Sequence, residues 1–455
     1  MLKKKILIGL VVLVMTVALV LNGCTKQKSG DDGQISNGQK EEGTSEQTDK
    51  QIKNVAIELL HGQPEEARVK TIQSIIDSFM VKNPGITVKQ VPVPEDGLWT
   101  KITALMSSGQ LPAMIEGSID QMRLMYEEGV IDTEANTKAI NSKGTDAFFK
   151  GALAVLKLPD KEEYIGVPVS GWVAGIWYRK DWFEEKGFSA PDTWENILKA
   201  AQTFYDPDNK KYGIVFATEV SDFTEQTFQQ IALSNNAELF DGNGQPKFNS
   251  PEMKEAVQFY KDLYQYSPKG SNGVTQVKDT FVGGNAAMAM YSTYIMPSLY
   301  EQNMADKIGF AIPTKKVAAS FGMTSTMTIS NMVKPEEREA AVKFLAYMLE
   351  REPNIMWLHM APGGANPVLR DIAKDEKYLS HELLKAFGET AAKVPEAFED
   401  LRMFGFQDGK THPKMGNITA KLVIPKALNA ILVQNKDIDE EMERAQQLME
   451  EIVNE

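Results

Sequence analysis

The pattern of apolar positions in the first part of the chain predicts strands that alternate with helices. Short apolar or alternating runs at 55–60, 86–91 and 113–115 are typical of strands. Between them, two segments carry apolar residues at the three- and four-residue spacing of an amphipathic helix, one from about residue 65 and one from about 99 to 108. This β-α-β-α-β order predicts a parallel sheet with helices packed on its faces.

The same alternation continues towards the C-terminus. Helix starts are indicated at 192–195, at Ser250-Pro251 and at 334–337, each followed by apolar residues at helical spacing. The last forty residues predict two helices, of which the final one is highly charged. The fold class is therefore α/β. In such sheets ligands bind at the carboxyl ends of strands, which here are segments 60–63 and 116–120.

The N-terminus has a different pattern. Three lysines at 3–5 precede 16 uncharged residues, 6–21, and Asn22-Gly23-Cys24 follows. A positive head, an apolar stretch and small residues before a cleavage point indicate a secretory signal. The segment resembles the bacterial lipobox, in which the chain is cut before a cysteine that carries a diacylglycerol. The run is shorter than the roughly 20 apolar residues of a membrane span, so lipid attachment at Cys24 is favoured over a transmembrane anchor.

Residues 25–50 hold Ser, Gly, Gln, Thr and mixed charges, with Ile35 as their one large aliphatic residue. Such a segment cannot bury enough apolar surface to offset the cost of ordering it. We therefore expect residues 1–23 to be a lipoprotein signal peptide and residues 24–51 to be the lipidated cysteine and a disordered tether.

Composition limits the possible partners. Removing residues 1–23 takes away three lysines and no acidic residue, which leaves a net charge of −16. Such a chain is not attracted to nucleic acid or to anionic lipid. Because Cys24 is the one cysteine of the sequence, no internal disulfide can form. About 430 mature residues exceed one typical core and predict two lobes.

The sequence offers little support for an enzyme. The four histidines at 61, 359, 381 and 412 have no paired spacing for zinc, and no Gly-x-Ser-x-Gly motif is present. Two segments that begin at Asp206 and Asp241 resemble calcium loops but lack the required residues, so both are interpreted as turns. We expect no catalytic residue, no metal and no cofactor.

Several motifs together resemble the family 1 extracellular solute-binding proteins of ABC importers, the maltose-binding-protein-like group. They are the Phe79 and Asn-Pro-Gly pattern at 79–88, Ser-Gly-x-x-Pro at 108–112, the Tyr-Ile-Gly-Val-Pro-Val run at 164–169 with the aromatic segment 177–195, and Phe-x-x-Gly-x-Ala-Ala-Met at 281–288. Segments 307–313 and 340–348 follow where this family has similar ones. The resemblance spans nearly the whole mature chain.

The resemblance implies a periplasmic-binding-protein-like type II fold, in which two α/β lobes are joined by a hinge and the ligand lies in the cleft between them. Lobe one would comprise 52–170 and 312–352, and lobe two 171–311 and 353–455. Strands that cross between the lobes are expected near 169–173 and 309–313, with a third crossing near 351–357. Ligand contact with both lobes would then drive closure of the cleft.

The resemblance and the strand ends also select candidate ligand contacts. Trp172, at the inferred hinge, and Tyr294, after the Ala-Ala-Met block, are expected to stack on sugar rings. Asp120 is interpreted either as a ligand contact or as a helix cap. The remaining candidates are His61, Gly62, Gly117, Ser118, Tyr291, Gly322, Trp357 and Asn366. Since Arg123 is the arginine identified near this region, a phosphate ligand is disfavoured.

The predicted function is capture of a carbohydrate, either a monosaccharide or an oligosaccharide, and its delivery to the permease of an ABC transporter. The protein is expected to be a monomer on the extracellular face of the membrane, anchored through Cys24, in a Gram-positive cell. Two alternatives stay open: a binding protein for glycerol phosphate, polyamine or another non-sugar solute, and an adhesive surface lipoprotein.

Overall fold

The computed structural model describes residues 54–407 and 410–455. The predicted signal peptide, the lipid site at Cys24 and the tether lie outside the described residues. Within the described ranges, no helix is both long and apolar enough to cross a membrane.

The described residues form strands and helices in alternation, as the sequence predicts. The strands are β1 (Val55–His61), β2 (Ile86–Pro92), β3 (Met114–Gly117), β4 (Val167–Arg179), β5 (Tyr212–Val215), β6 (Ala286–Ser292), β7 (Ile308–Ala311), β8 (Phe321–Ile329), β9 (Phe406–Gln407) and β10 (Lys410–Thr411). The α-helices are α1 (Glu66–Lys82), α2 (Glu95–Ser107), α3 (Ile119–Glu127), α4 (Thr133–Lys143), α5 (Lys150–Ala154), α6 (Lys180–Lys186), α7 (Trp194–Thr203), α8 (Asp222–Ser234), α9 (Pro251–Tyr264), α10 (Val274–Val282), α11 (Met296–Glu301), α12 (Pro335–Met348), α13 (Arg351–Leu358), α14 (Arg370–Ala373), α15 (Glu376–Leu379), α16 (Glu382–Phe387), α17 (Glu389–Lys393), α18 (Met415–Ala420), α19 (Val423–Leu432) and α20 (Ile438–Asn454).

The main sheet has the strand order β2-β1-β3-β8-β4-β6-β5, and β7 pairs with β4. Strand β1 is parallel to both β2 and β3, which confirms the parallel arrangement predicted for the first three strands. Further along, β8 runs antiparallel to β3 and β4, so the complete sheet is mixed. The carboxyl ends of β1 and β3 consequently lie side by side at one edge.

Strand β4 connects the two halves of this sheet. Its first part pairs with β8, over 167–174, and its second part pairs with β6 and β7, over 174–179. A bulge interrupts the pairing with β8 between Pro168 and Ser170. Most of β4 is buried, and within 167–177 Trp172 is the residue that is half-buried. The strand therefore leaves this one indole partly accessible.

The core consists of two hydrophobic clusters. The larger cluster packs α1, α4 and α12 around β1, β3 and the first part of β4, and it also includes apolar residues of α13 and 394–401. The smaller cluster packs α7, α8, α9, α19 and α20 on the other half of the sheet. The predicted lobe boundaries are not tested by these contacts and stay a prediction.

Most helix starts agree with the sequence patterns. Thr193 caps α7 by accepting from the Asn196 N–H, and Ser250 caps α9 by accepting from the Met253 N–H. Helix α2 begins earlier than predicted, at Glu95, because Pro94 takes the N-cap position. Helix α13 occupies 351–357, where the third crossing between the lobes is expected.

Candidate ligand-binding cleft

A cavity of about 580 Å³ opens at the edge of the sheet where β1 and β3 end. This volume lies within the roughly 300–1,000 Å³ of typical small-molecule sites. It is lined by Gly62, Gln63, Pro64, Glu65, Arg68, Pro94, Glu95, Asp96, Leu98, Glu116, Gly117, Ser118, Gln121, Ser170, Gly171, Trp172, Tyr294, Met323, Thr324, Ser325, Trp357, Met360, Ala361, Gly364 and Ala365. We call this cavity the cleft.

One wall of the cleft is organised around Glu116, which lies in β3. Its side chain is buried, and its Oε2 accepts a hydrogen bond from the Gly62 backbone N–H at 2.9 Å. Its Oε1 accepts from Gln63 Nε2 at 2.9 Å and from Ser325 Oγ at 3.0 Å. The carboxylate thus ties the segment after β1 to β8 and leaves a polar surface at the wall.

Arg68, in the first turn of α1, brings a positive charge to the cleft. Its Nη1 donates to Gln63 Oε1 at 2.5 Å, and its Nε lies 3.7 Å from the Glu65 carboxylate. Gln63 therefore links Arg68 to Glu116 through the two ends of one amide group.

An aromatic pair forms another part of the cleft. The ring centroids of Trp172 and Tyr294 lie 6.2 Å apart at an interplanar angle of 57°. Trp172 is held from behind by Phe321, whose ring is edge-on at 5.5 Å, whereas the side chain of Tyr294 is 57% exposed. The protein surroundings raise the pKa of the Tyr294 hydroxyl by desolvation. The charge of Glu95 raises this pKa further, and that of Arg68 lowers it.

Six of the predicted contacts line the cleft. They are Gly62, Gly117, Ser118, Trp172, Tyr294 and Trp357. Ser118 also caps α3 by accepting from the Gln121 N–H, so its hydroxyl is shared with the helix. Trp357 is 3% exposed and donates from Nε1 to Ser170 Oγ at 3.1 Å, so it supports the wall more than it presents a face.

His61 lies behind the cleft. Its side chain is buried, and its Nδ1 accepts from the Gln63 N–H at 3.2 Å. Nε2 is therefore the protonated nitrogen, and it donates to Gln90 Oε1 at 3.1 Å. Burial lowers the pKa of His61, although the charge of Glu116 raises it. The neutral imidazole thus fixes the segment that carries Gly62 and Gln63.

The other predicted contacts are also placed outside the lining. Asp120 lies in the first turn of α3, where Ser118 is the cap, and desolvation raises the pKa of its carboxyl. Tyr291 packs against Phe223 at 5.2 Å. Gly322 pairs with Val173, and a Cβ there would lie 2.3 Å from the Trp172 carbonyl oxygen.

Asn366 is buried and its Nδ2 donates to the Gly171 and Gly363 carbonyl oxygens, which ties two segments together beside the cleft. Whether these residues contact a ligand stays a prediction.

Several lining residues were missed by sequence reasoning. Gln63 and Glu116 lie within the strand-end segments that the sequence indicated, but neither was selected. Arg68 and Glu95 lie in the first turns of α1 and α2. A helix that follows a strand begins at the same sheet edge where that strand ends, and this rule could have found both.

The expectation that Arg123 is the arginine of this region was wrong. Arg68 lines the cleft, whereas the Arg123 guanidinium donates to the Val155 carbonyl oxygen and lies over the Phe406 ring. Burial lowers the pKa of Arg123 to about 10. Among the described residues no group of three or more histidine, cysteine or acidic side chains is placed to hold a metal ion.

The mixed sheet, its helical layers and the cleft at the strand ends define an α/β protein with the periplasmic-binding-protein-like type II fold. Residues 63–355 match the family model of the bacterial extracellular solute-binding proteins, and the chain belongs to this family. It is a solute-binding protein of an ABC transporter, it is extracellular or periplasmic, and, like its relatives, it is not an enzyme.

Two similar proteins agree with this assignment, and one solved structure agrees with the fold. The chain is 38% identical over 400 residues to the Escherichia coli (strain K12) protein named "Putative ABC transporter periplasmic-binding protein YcjN", covering 88% of this chain and 93% of that one. It is 26% identical to the "Multiple sugar-binding protein" of Streptococcus mutans, covering 61% and 67%. The solved structure of the sugar-binding protein MalE from Xanthomonas citri superposes with a TM-score of 0.72 at 16% identity, covering 88% and 98%.

Proposed function

We propose that this protein captures a carbohydrate, either a monosaccharide or an oligosaccharide, and delivers it to an ABC transporter permease. The observation that carries this proposal is the pairing of the Trp172 and Tyr294 rings with polar groups inside one cleft. The similarity to the multiple sugar-binding protein supports the same ligand class.

A sugar presents two kinds of surface to a protein. Its C–H faces are apolar and pack well against flat aromatic rings, here Trp172 and Tyr294. Its hydroxyls need hydrogen-bonding groups when they leave water. Glu116, Gln63 and Ser325 supply a carboxylate, an amide and a hydroxyl at the adjoining wall. A cleft with both surfaces suits a polyhydroxylated ligand better than a purely apolar one.

The N-terminal sequence supports capture at the extracellular face of the cell membrane. A lipid on Cys24, followed by a polar tether, would hold a monomeric binding protein near the permease on the extracellular face of the membrane. A Gram-positive cell, which lacks an outer membrane, would otherwise lose the protein. Mass spectrometry of the membrane fraction tests this: a diacylglycerol on an N-terminal Cys24 is expected, and a chain that still carries residues 1–23 would contradict it.

Isothermal titration calorimetry with a panel of neutral sugars tests the ligand class. The panel contains glucose, galactose, sorbitol, maltose and maltotriose, with spermidine and glycerol 3-phosphate as the non-sugar probes. Saturable binding of at least one sugar without turnover is expected. Binding of spermidine or glycerol phosphate alone would contradict the proposal, as would no binding by any of these probes or by glucosamine.

Trp172→Ala tests the position of the site. Loss of the indole removes the stacking surface, so binding of the sugar found in the panel should weaken by more than about tenfold. The matched control is Trp182→Ala, since Trp182 lies outside the cleft, where it packs against Phe204. Thermal melting establishes that both variants are folded. Equal affinities of Trp172→Ala and the unaltered protein would place the site elsewhere.

A further inference from the structure

The charged side chains of the cleft are unequal in sign. Four carboxylates line it, those of Glu65, Glu95, Asp96 and Glu116, whereas Arg68 is the one positively charged side chain among the lining residues. Charges in a cleft with protein walls act over longer distances than at an open surface, because water screens them less. The net negative charge of the lining therefore affects which ligands can enter the cleft.

Arg68 is partly engaged by the protein itself. Its guanidinium donates to Gln63 and lies near the Glu65 carboxylate. An anionic ligand would have to compete with these groups for the guanidinium, while the other carboxylates repel it. The positive charge of Arg68 thus compensates Glu65 and leaves three carboxylates without a basic lining partner.

Glu116 is the most informative of these three. It is 4% exposed, and its three hydrogen-bond donors are neutral groups of Gly62, Gln63 and Ser325. Among the described residues no lysine, arginine or histidine forms an ion pair with it within 4 Å. A buried carboxylate ordinarily has a cationic partner because leaving water is costly. Here one side of the group faces the cleft, where a ligand could supply that partner.

The other two, Glu95 and Asp96, lie in the first turn of α2 and also line the cleft. Their carboxylates share the cleft lining with the rings of Trp172 and Tyr294. Aromatic faces attract cations as well as C–H groups. Carboxylates beside two aromatic rings therefore form a surface that suits an ammonium group.

We propose that the cleft selects among polyhydroxylated ligands by charge, and that its preferred ligand carries an ammonium group beside its hydroxyls, as an amino sugar does. Sugars that carry a carboxylate or a phosphate are excluded by the same groups. This inference rests on the proposed carbohydrate function and specifies its substrate class. Glu116 faces the ammonium group from the wall at β3, and the exposed carboxylates of Glu95 and Asp96, in the first turn of α2, set the preference.

Matched ligands that differ in charge test this selection. Three triads serve as probes: glucosamine, glucose and glucuronate; galactosamine, galactose and galacturonate; and 1-amino-1-deoxysorbitol, sorbitol and gluconate. Calorimetry at pH 7 and about 0.02 M salt is used because screening is weak there. Within each triad the affinity should decrease from the ammonium ligand to the neutral ligand to the anion. We expect at least about tenfold between neighbouring members of a triad that binds.

A double variant tests the assignment to residues. Glu95→Gln with Asp96→Asn removes two charges from exposed positions and keeps hydrogen-bonding groups of the same size, so the ratio of ammonium to anion affinity should fall by at least about fivefold. Glu66→Gln with Asp77→Asn is the control, because both residues are exposed on α1 outside the cleft lining. The control should leave that ratio unchanged.

Each of the other outcomes would contradict one part of the proposal. If a neutral sugar binds and its charged derivatives bind equally well, or the anion binds best, charge selection is wrong while sugar capture stands. If the selectivity persists in the double variant, Glu95 and Asp96 do not set it. If no member of any triad binds, the amino-sugar assignment fails, and the neutral panel then shows separately whether sugar capture fails as well.

Discussion

At the scale of single residues, Glu225 is a buried carboxyl group outside the cleft. Its side chain is 6% exposed, Oε1 accepts from Thr419 Oγ1 at 2.9 Å, and Oε2 has no hydrogen-bond partner among the described residues. Burial, with a smaller contribution from Asp222, raises the pKa of Glu225 to about 7. The folded protein therefore keeps this proton up to neutral pH.

This pKa predicts a pH dependence of stability. Unfolding returns Glu225 to water, where its pKa is near its ordinary value of 4.5, so between about pH 4.5 and 7 the folded state binds more protons than the unfolded state. Stability from this group is then present below pH 4.5 and falls as the pH rises to 7. At pH 8, Glu225→Gln should be more stable than the unaltered protein by roughly 1–3 kcal/mol in unfolding free energy. At pH 4 the two proteins should be equally stable.

Thermal or denaturant melts at several pH values measure this difference. Glu195→Gln is the matched control, because Glu195 is exposed on α7 and makes the same change of charge. A constant difference between Glu225→Gln and the unaltered protein from pH 4 to pH 8 would show that Glu225 ionises in the folded state as it does in water.

Residues of the cleft differ in how far the sequence could place them. Trp172 was selected by its position after a recognisable motif, and it is the half-buried residue in a buried part of β4. Glu116 and Ser325 are 209 positions apart in the chain and meet only because β3 and β8 pair. No local pattern indicates such a contact, so this part of the site could not be predicted.

At the scale of elements, α4 completes the hydrogen bonding of β8. The pairing of β8 with β4 ends at Met327. Beyond this point, the N–H of Ile329 on the β4 side of the strand donates to Asn136 Oδ1 at 2.9 Å. Asn136 Nδ2 donates to Thr328 Oγ1 at 2.9 Å. One buried amide of a helix thus replaces a missing strand neighbour.

Asn136→Ala should therefore be strongly destabilising. It leaves the buried Ile329 N–H without its acceptor, which costs roughly 1–3 kcal/mol, whereas the Thr328 hydroxyl keeps its hydrogen bond to the Ile165 carbonyl oxygen. Asn141→Ala makes the same substitution in α4 at an exposed position, so the effect on helix propensity cancels in the comparison. Chemical denaturation measures both. A difference below about 0.5 kcal/mol between the two variants would contradict the role given to Asn136.

Helix starts could be predicted where a local sequence signal marks them. The starts of α7, α9 and α12 were predictable because a capping residue or a proline marks each one in the sequence. The start of α2 was placed four residues late because its first turn, which begins at Glu95, carries acidic residues and a glycine instead of an apolar face. Favourable interaction of these acids with the helix N-terminus replaces the hydrophobic signal there.

At the scale of the whole molecule, the cleft gathers residues from both parts of the sheet. Glu116 comes from β3 in the first part, and Tyr294 follows β6 in the second part. A ligand that contacts both would favour a closed arrangement, because it gains the second set of contacts only when the cleft narrows. The two predicted lobes are the parts that would move towards each other when the cleft closes.

Closure predicts a smaller molecule when ligand is bound. Small-angle scattering should show a decrease in the radius of gyration at saturating concentration of the sugar found by calorimetry. At about one hundred times the dissociation constant, the ligand should also stabilise the protein by about 2.7 kcal/mol. Trp172→Ala, which should bind more than about tenfold more weakly, is the control and at the same sugar concentration should be stabilised by at most about 1.4 kcal/mol. Stabilisation without any decrease in radius would mean that the sugar binds without closure.

The sequence by itself determined the α/β class, the parallel first strands, most helix starts and the family, because these depend on local periodicity and on short motifs. It also indicated the edge of the sheet at which the cleft opens, since strand ends follow from the order of elements. Only the tertiary structure decided which side chains line the cleft, placing Arg68 and Glu95 there and His61 behind it. The physical reason is that strand pairing brings distant segments together, and no pattern within one segment records its partner.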